Sequence, residues 1–387
     1  MYQKSQNMKN SFICILLLVC TLLNSCITDD YSGNPITKPT TISNLQFIGE
    51  QIIPDGQTFK GSTIGGLSSI DYYNGTYYII SDDPNAPIRF YTAHLTFDNT
   101  SFSKVEITNQ VELLNDNGAS FADQEVDPEA IRFDPRSRSI IWTSEGFANN
   151  NIAPSVKEAS LRGKFRSEFM TPDIFKENTA DSGVRNNGVF EGLSLSVDHK
   201  GYWVAMELPL LQDGDAPVFG MDTDSPVRIS FIDRKTKEFG RQFAYELDPV
   251  ARDGGFKVNG VVEILQYNKD RFLVLERSFA SGTDDGGNDV RIYDVDASEA
   301  TDISNMSSLK NANYKKATKT LLFDFNSIRD QLSTVPGGSA NVVDNIEGMT
   351  FGPDLPNGNK SLVLVSDNNF SAFGAQLNQF IALEVLP

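Results

Sequence analysis

Five stretches of this chain repeat one pattern, and that repetition constrains the fold more than any other feature. Each opens on a small or acidic residue, continues as a short apolar run, turns, and ends as a second apolar run closed by an acid. The stretches are 65–70 with 77–82, 129–133 with 140–145, 191–195 with 202–207, 259–262 with 272–276, and 347–351 with 362–367. A second pair of apolar runs follows, most clearly at 228–233 and 241–247. Two hairpins per repeat predict an all-β chain: a β-propeller of five blades, each of four antiparallel strands. The spacing is widest over 276–347, which leaves room for a sixth blade. After its first pair the last repeat offers one strand, 379–385, so 45–49 is expected to supply the missing one and close the ring without a free edge. The 26 Phe, 12 Tyr and 29 Gly fit strands and turns better than long helices. Short helices are expected only near 172–178 and 326–332, and Trp142 and Trp203, at matching positions, are expected in the core.

The N-terminus reads as a targeting segment. Lys4 and Lys9 precede an apolar run, 12–23, that is too short to span a bilayer as a stable helix. It ends in Leu23-Asn24-Ser25-Cys26, which resembles a bacterial lipobox with Cys26 as the lipidated residue. The expected organisation is a signal peptide at 1–25, a tether at 26–40 and one propeller domain at 41–387. Cys14 and Cys20 leave with the signal, so the mature chain has no cysteine pair for a disulfide. A lipid-anchored location in the cell envelope follows, at the outer membrane and with surface exposure suggested by Asp29-Asp30. Net charge is −18, which argues against nucleic acid and anionic membrane surfaces as partners. A monomer is expected.

The repeated acids carry the chemistry. Antiparallel neighbours place the start of the first strand beside the end of the second. Glu129, Glu191 and Glu347 from first strands, with Asp82, Glu145, Glu207, Glu276 and Asp367 from second strands, should therefore meet at one mouth of the channel. So many carboxylates cannot all stay ionised unless cations, arginines or protons intervene. Oxygen ligands in this number fit calcium; zinc is disfavoured with only His94 and His199 in the chain. In the competing structural reading the acids cap turns or pair with Arg132, Arg185 or Arg277. The acidic run 284–289 lacks the full calcium-loop register and reads as a solvated loop. His199 is expected exposed in a hairpin turn, and His94 on a strand. No nucleophile elbow, phosphate loop or dinucleotide fingerprint occurs.

Several stretches together carry a family resemblance: Phe190-Glu191-Gly192-Leu193-Ser194-Leu195 with Ala205-Met206-Glu207, Leu273-Val274-Leu275-Glu276-Arg277-Ser278-Phe279, Asn345-Ile346-Glu347-Gly348-Met349, and Val365-Ser366-Asp367-Asn368-Asn369-Phe370. The chain resembles the phytase-like family, labelled for an esterase-like activity of phytase, over residues 60–387. The resemblance implies kinship with calcium-dependent propeller phytases, which are six-bladed and hold phosphate with clustered Lys and Arg. Here the basic residues near the motifs are few: Arg89, Arg132, Arg185 and Arg277.

Three readings follow. The first is a calcium-dependent hydrolase of small phosphoesters or carboxylic esters, with Glu191, Glu207 or Glu347 as general base and Arg277 steadying the developing anion. The second is a non-catalytic binding propeller. The third is a calcium-dependent lactonase or arylesterase, in which Asn259 and Asn345 join the metal ligands.

Overall fold

In the computed structural model, which describes residues 38, 41–176 and 179–387, strands dominate and the helical pieces are single short 3₁₀ segments. Four-stranded antiparallel sheets repeat five times. Their innermost strands are Ser69–Tyr73, Pro128–Asp134, Phe190–Leu195, Lys257–Asn268 and Ile346–Asp354, and each contacts its neighbours around a closed ring. The fold is a five-bladed β-propeller. The interval with room for a sixth blade instead holds the two outer strands of blade four, Asn288–Asp296 and Thr318–Asp324, and the loops around them. Of the expected helices, Asp173–Phe175 and Phe325–Gln331 exist as 3₁₀ turns. The signal segment, Cys26 and the tether lie outside the described residues, apart from Lys38.

The N-terminal strand closes the ring, and it is longer than the sequence suggests. Asn44–Ile53 pairs antiparallel with Asn378–Leu386 and forms the outermost strand of blade five. Leu45 and Ile53 are buried there. The core is distributed between neighbouring blades: four large apolar clusters fill the spaces between adjacent sheets. Trp142 and Trp203 are both buried in them, and Trp203 meets Phe231, Phe243 and Phe272.

The channel is plugged by charge. Arg132 pairs with Glu263 at 2.6 Å, both almost fully buried. The same guanidinium donates to Ser69 Oγ and the carbonyls of Ile70 and Met349, while Glu263 accepts from the Leu193 amide at 2.9 Å. One ion pair thus touches all five blades. It fits because strand pairing puts Ser69, Ala130, Gly192 and Gly348 at the level of Glu263. A Cβ on Gly348 would come within 2.7 Å of the Ser69 backbone, so this level admits one long side chain. At the far end Lys38 donates to the Gln266 carbonyl at 2.5 Å; burial lowers its pKa to about 8.

Leu45→Ala should cost about 3 kcal/mol of unfolding free energy in urea, whereas Phe373→Ala, at a site 88% exposed, should change it by less than about 0.5 kcal/mol. Arg132→Ala strands a buried carboxylate and should cost about 4 kcal/mol, most of it recovered when Arg132→Met is combined with Glu263→Leu.

Candidate functional site

Three register positions build the mouth. The first lies two residues before the inner-strand bulge and is occupied around the ring by Gly66, Asp127, Val189, Gly260 and Asn345. The second, the bulge itself in blades two to five, is Ser68, Glu129, Glu191, Val262 and Glu347. The third is Asp82, Glu145, Glu207 and Asp367, each just past the end of the second strand, and Arg277 within it. The backbone confirms this alignment: the amides of Asp82, Glu145, Glu207 and Asp367 donate to the carbonyls of Gly66, Asp127, Val189 and Asn345, and Arg277 pairs with Gly260. A bulge inserts one residue and re-aims its side chain, which turns Glu129, Glu191 and Glu347 to the mouth.

Seven of the eight acids expected from the sequence meet there: Asp82, Glu129, Glu145, Glu191, Glu207, Glu347 and Asp367. Glu276 does not, because the inner-strand bulge of blade four falls at Val262, not near Asn259. The second-strand position is therefore Arg277, and a slip of one residue turns Glu276 to the opposite face. There its carboxylate accepts from the Tyr245 hydroxyl at 2.5 Å, Asn259 Nδ2 at 2.8 Å, Lys319 at 2.6 Å and the Asp248 amide. Asn259, pointing with it, is away from the mouth, whereas Asn345 is in the mouth and donates to Glu347 at 2.9 Å and Asp367 at 3.1 Å. The eighth carboxyl is Asp127, which the sequence reading missed. Its signal was local: in Asp127-Pro128-Glu129 alternate residues of an extended segment share a face.

Ligand-capable oxygens group in threes within 4.8 Å: Asp82, Glu129 and Glu347; Asp127, Glu129 and Glu145; Glu145, Glu191 and Glu207. Glu129 and Glu145 are shared between groups. Among the described residues one guanidinium faces these acids. Arg277 lies 3.0 Å from Glu347 and 3.6 Å from Glu207. The remaining Glu207 oxygen, Oε2, is buried without a hydrogen-bond partner. Other support is modest: Ser68 donates to Glu129 at 3.0 Å and the Val189 amide to Glu145 at 2.6 Å. Close backbone makes the packing possible. A Cβ on Gly66 (φ +60°) would collide with the Asp82 carboxylate and the Phe370 ring, and one on Gly260 would meet Glu207.

Burial is the first cause of every pKa shift here, and neighbouring carboxylates add to it for most of the group. Asp82, Glu129, Glu145 and Glu191 are pushed well above the ordinary range. Asp127 is raised by burial to about 7. Glu207 and Glu347 reach about 7 against the opposing pull of Arg277. Asp367 reaches about 8. The cup therefore holds protons near neutrality unless a cation replaces them. Hard oxygen donors, shared between close groups and including an orphaned carboxylate oxygen, could hold a metal ion.

The other basic candidates are engaged elsewhere. Arg132 is the channel bolt, Arg89 pairs with Asp83 at 3.0 Å, and Arg185 donates to the carbonyls of Pro209 and Gly214. In the acidic loop, Asp285 and Asp289 are clamped by Arg252 at 2.8 Å and 2.5 Å. His94 is exposed on its strand, with Nδ1 2.9 Å from the Gly75 carbonyl. His199 is half-buried in its turn, more enclosed than a hairpin turn suggests.

Structural comparison finds distant similarity. A family-43 glycoside hydrolase protein from Bacillus licheniformis aligns at 10% identity over 90% of this chain and 56% of its own, with TM-score 0.40. The exo-β-1,3-galactanase from Phanerochaete chrysosporium aligns at 11% identity over 88% and 64%, with TM-score 0.41. A family-43 β-1,3-galactosidase bound to galactodeoxynojirimycin aligns at 10% identity over 87% and 94%, with TM-score 0.42. The chain thus spans little more than half the length of the first of these proteins. No functionally curated protein matches the sequence. The sequence model of the phytase-like family, described as esterase-like activity of phytase, matches residues 62–370, and the chain belongs to that family.

Proposed function

We propose that this protein is a calcium-dependent hydrolase of small phosphoesters or carboxylic esters, held in the cell envelope by a lipid on Cys26. The observation that carries this reading is the imbalance at the mouth: eight desolvated carboxyls face one guanidinium, and Glu207 leaves a buried oxygen unpartnered. A purely structural network would satisfy its acids, as Glu276 is satisfied by its four donors. Calcium held by the cup would supply a Lewis acid and acidify bound water.

The chain's own residues have separable tasks in this reading. Glu145, Glu191 and Glu207, with the two groups that share Glu129, would hold cations. Glu207 or Glu347, whichever a bound cation leaves free, would take the proton from water. Water adds to the acyl carbon or phosphorus, the ester bond to the alcohol oxygen breaks, and the alcohol leaves protonated. Arg277, already in the mouth, would steady the developing anion. Since the mouth offers one arginine, a carboxylic ester or lactone is favoured over a polyphosphate, and Asn345 fits a lactonase-like ligand set better than Asn259 does.

Calcium titration of the purified protein should raise the melting temperature and, at a hundred-fold excess over Kd, add about 3 kcal/mol. Magnesium should do much less, and hydrolysis of 4-nitrophenyl butyrate or 4-nitrophenyl phosphate should require calcium. Glu207→Gln should lower kcat about 100-fold or more. No calcium-dependent shift and no chelator-sensitive activity would leave a binding propeller.

Protonation sets a second expectation. The folded cup binds protons more tightly than the unfolded chain, so its contribution to stability is complete below about pH 4. That contribution is lost as pH rises through about 7 for Asp127, Glu207 and Glu347 and about 8 for Asp367. In chelator the melting temperature should therefore fall from mildly acidic to mildly alkaline pH, and saturating calcium should flatten that fall. A melting temperature that rises with pH in chelator would contradict the cup's electrostatics.

A further inference from the structure

A cavity of about 530 Å³ opens at the top of blade two, beside the segment leading to blade three. It lies on the same face as the cup, because loops joining second to third strands, and fourth strands to the next blade, all emerge there. Its wall includes Val126 and Ser144. These immediately precede Asp127 and Glu145, and the Ser144 hydroxyl accepts from the Asp127 amide at 3.0 Å, so the cavity wall adjoins the backbone that carries Asp127. Ile152, Pro154 and Phe169 add apolar surface to a wall that is otherwise largely polar. Thr171 also lines it. That residue is only 6% exposed, and its hydroxyl has no hydrogen-bond partner. A buried hydroxyl left unpaired is costly, and an oxygen on a bound ligand would relieve it.

The charges in the cavity wall balance. Lys157 is paired with Glu168 at 2.5 Å and Lys176 with Asp173 at 3.6 Å. With Glu125 and Glu168 also in the wall, its two lysines leave it no net positive charge to draw a phosphate. We infer that this cavity binds the uncharged alcohol portion of an ester whose reacting end lies on the cup, with Thr171 hydrogen-bonded to the ligand's polar atom. The inference rests on the hydrolase reading and narrows it: the substrate class is neutral aryl or alkyl esters, not inositol polyphosphates.

The test uses 4-nitrophenol, the alcohol of 4-nitrophenyl esters, titrated calorimetrically into the full chain in chelator below the phenol's own pKa. Wild type should bind saturably, with a Kd on the order of millimolar for so small a ligand. Ala153→Trp, a substitution at an exposed residue of the cavity wall, should abolish binding. The near-isosteric Thr171→Val should weaken it about five-fold, and Glu207→Gln should leave it unchanged. With calcium present, Ala153→Trp should raise KM for 4-nitrophenyl butyrate more than it lowers kcat. Binding that survives Ala153→Trp, or no saturable binding to wild type, overturns the inference. Because this titration contains no metal, failure of the calcium hydrolase reading appears in the calcium experiments and leaves the cavity result standing.

Discussion

One buried ion pair organises this propeller. Arg132 and Glu263 meet in the narrow channel, and their remaining hydrogen bonds reach the innermost strands of all five blades. Such a pair is a poor source of net stability, because desolvation offsets its attraction. Its value is positional. Each bond fixes the height of one inner strand against the others, and the small residues at the same level let the strands approach. The pair also fills the channel beneath the mouth, and most of the carboxyls above it are buried.

The cup's electrostatics follow from that burial. Buried carboxyls with one guanidinium among them are forced toward protonation. The bulges add the second ingredient by turning three glutamates inward at the top of the inner strands. A cation bound there would compete with protons for the same oxygens, so in the proposed reading the site's charge state depends on both pH and calcium.

Much of this was legible in the sequence. Paired apolar runs with turns between them gave the blades, and the lone late strand of the last repeat pointed to the N-terminal strand as the closing element. The acids of blades two, three and five were visible because Glu129, Glu191 and Glu347 open runs whose partners end in Glu145, Glu207 and Asp367. Blade four misled the reading. Asn259-Gly260 imitates the start of the other inner strands three residues early, and Glu276 imitates their second-strand acid one residue early. Only strand pairing reveals that Val262 and Arg277 hold the equivalent places. Glu263 was hidden for a related reason: in the other blades its level holds Ser, Ala or Gly, so no repeat pattern marks it. Asp127 lay outside the motif, in the loop that approaches it.

The family match and the grouped carboxyls agree with a site able to hold a metal ion, and the proposed hydrolase requires calcium to take the place of protons on these carboxyls. The measurement that tests it most directly is calorimetric titration of calcium into metal-free protein near pH 6.5, in two buffers of different ionisation enthalpy. The account predicts saturable binding with release of about one or more protons per calcium ion, and reduced release for Glu207→Gln. Calcium binding without proton release, or no binding at all, would contradict it.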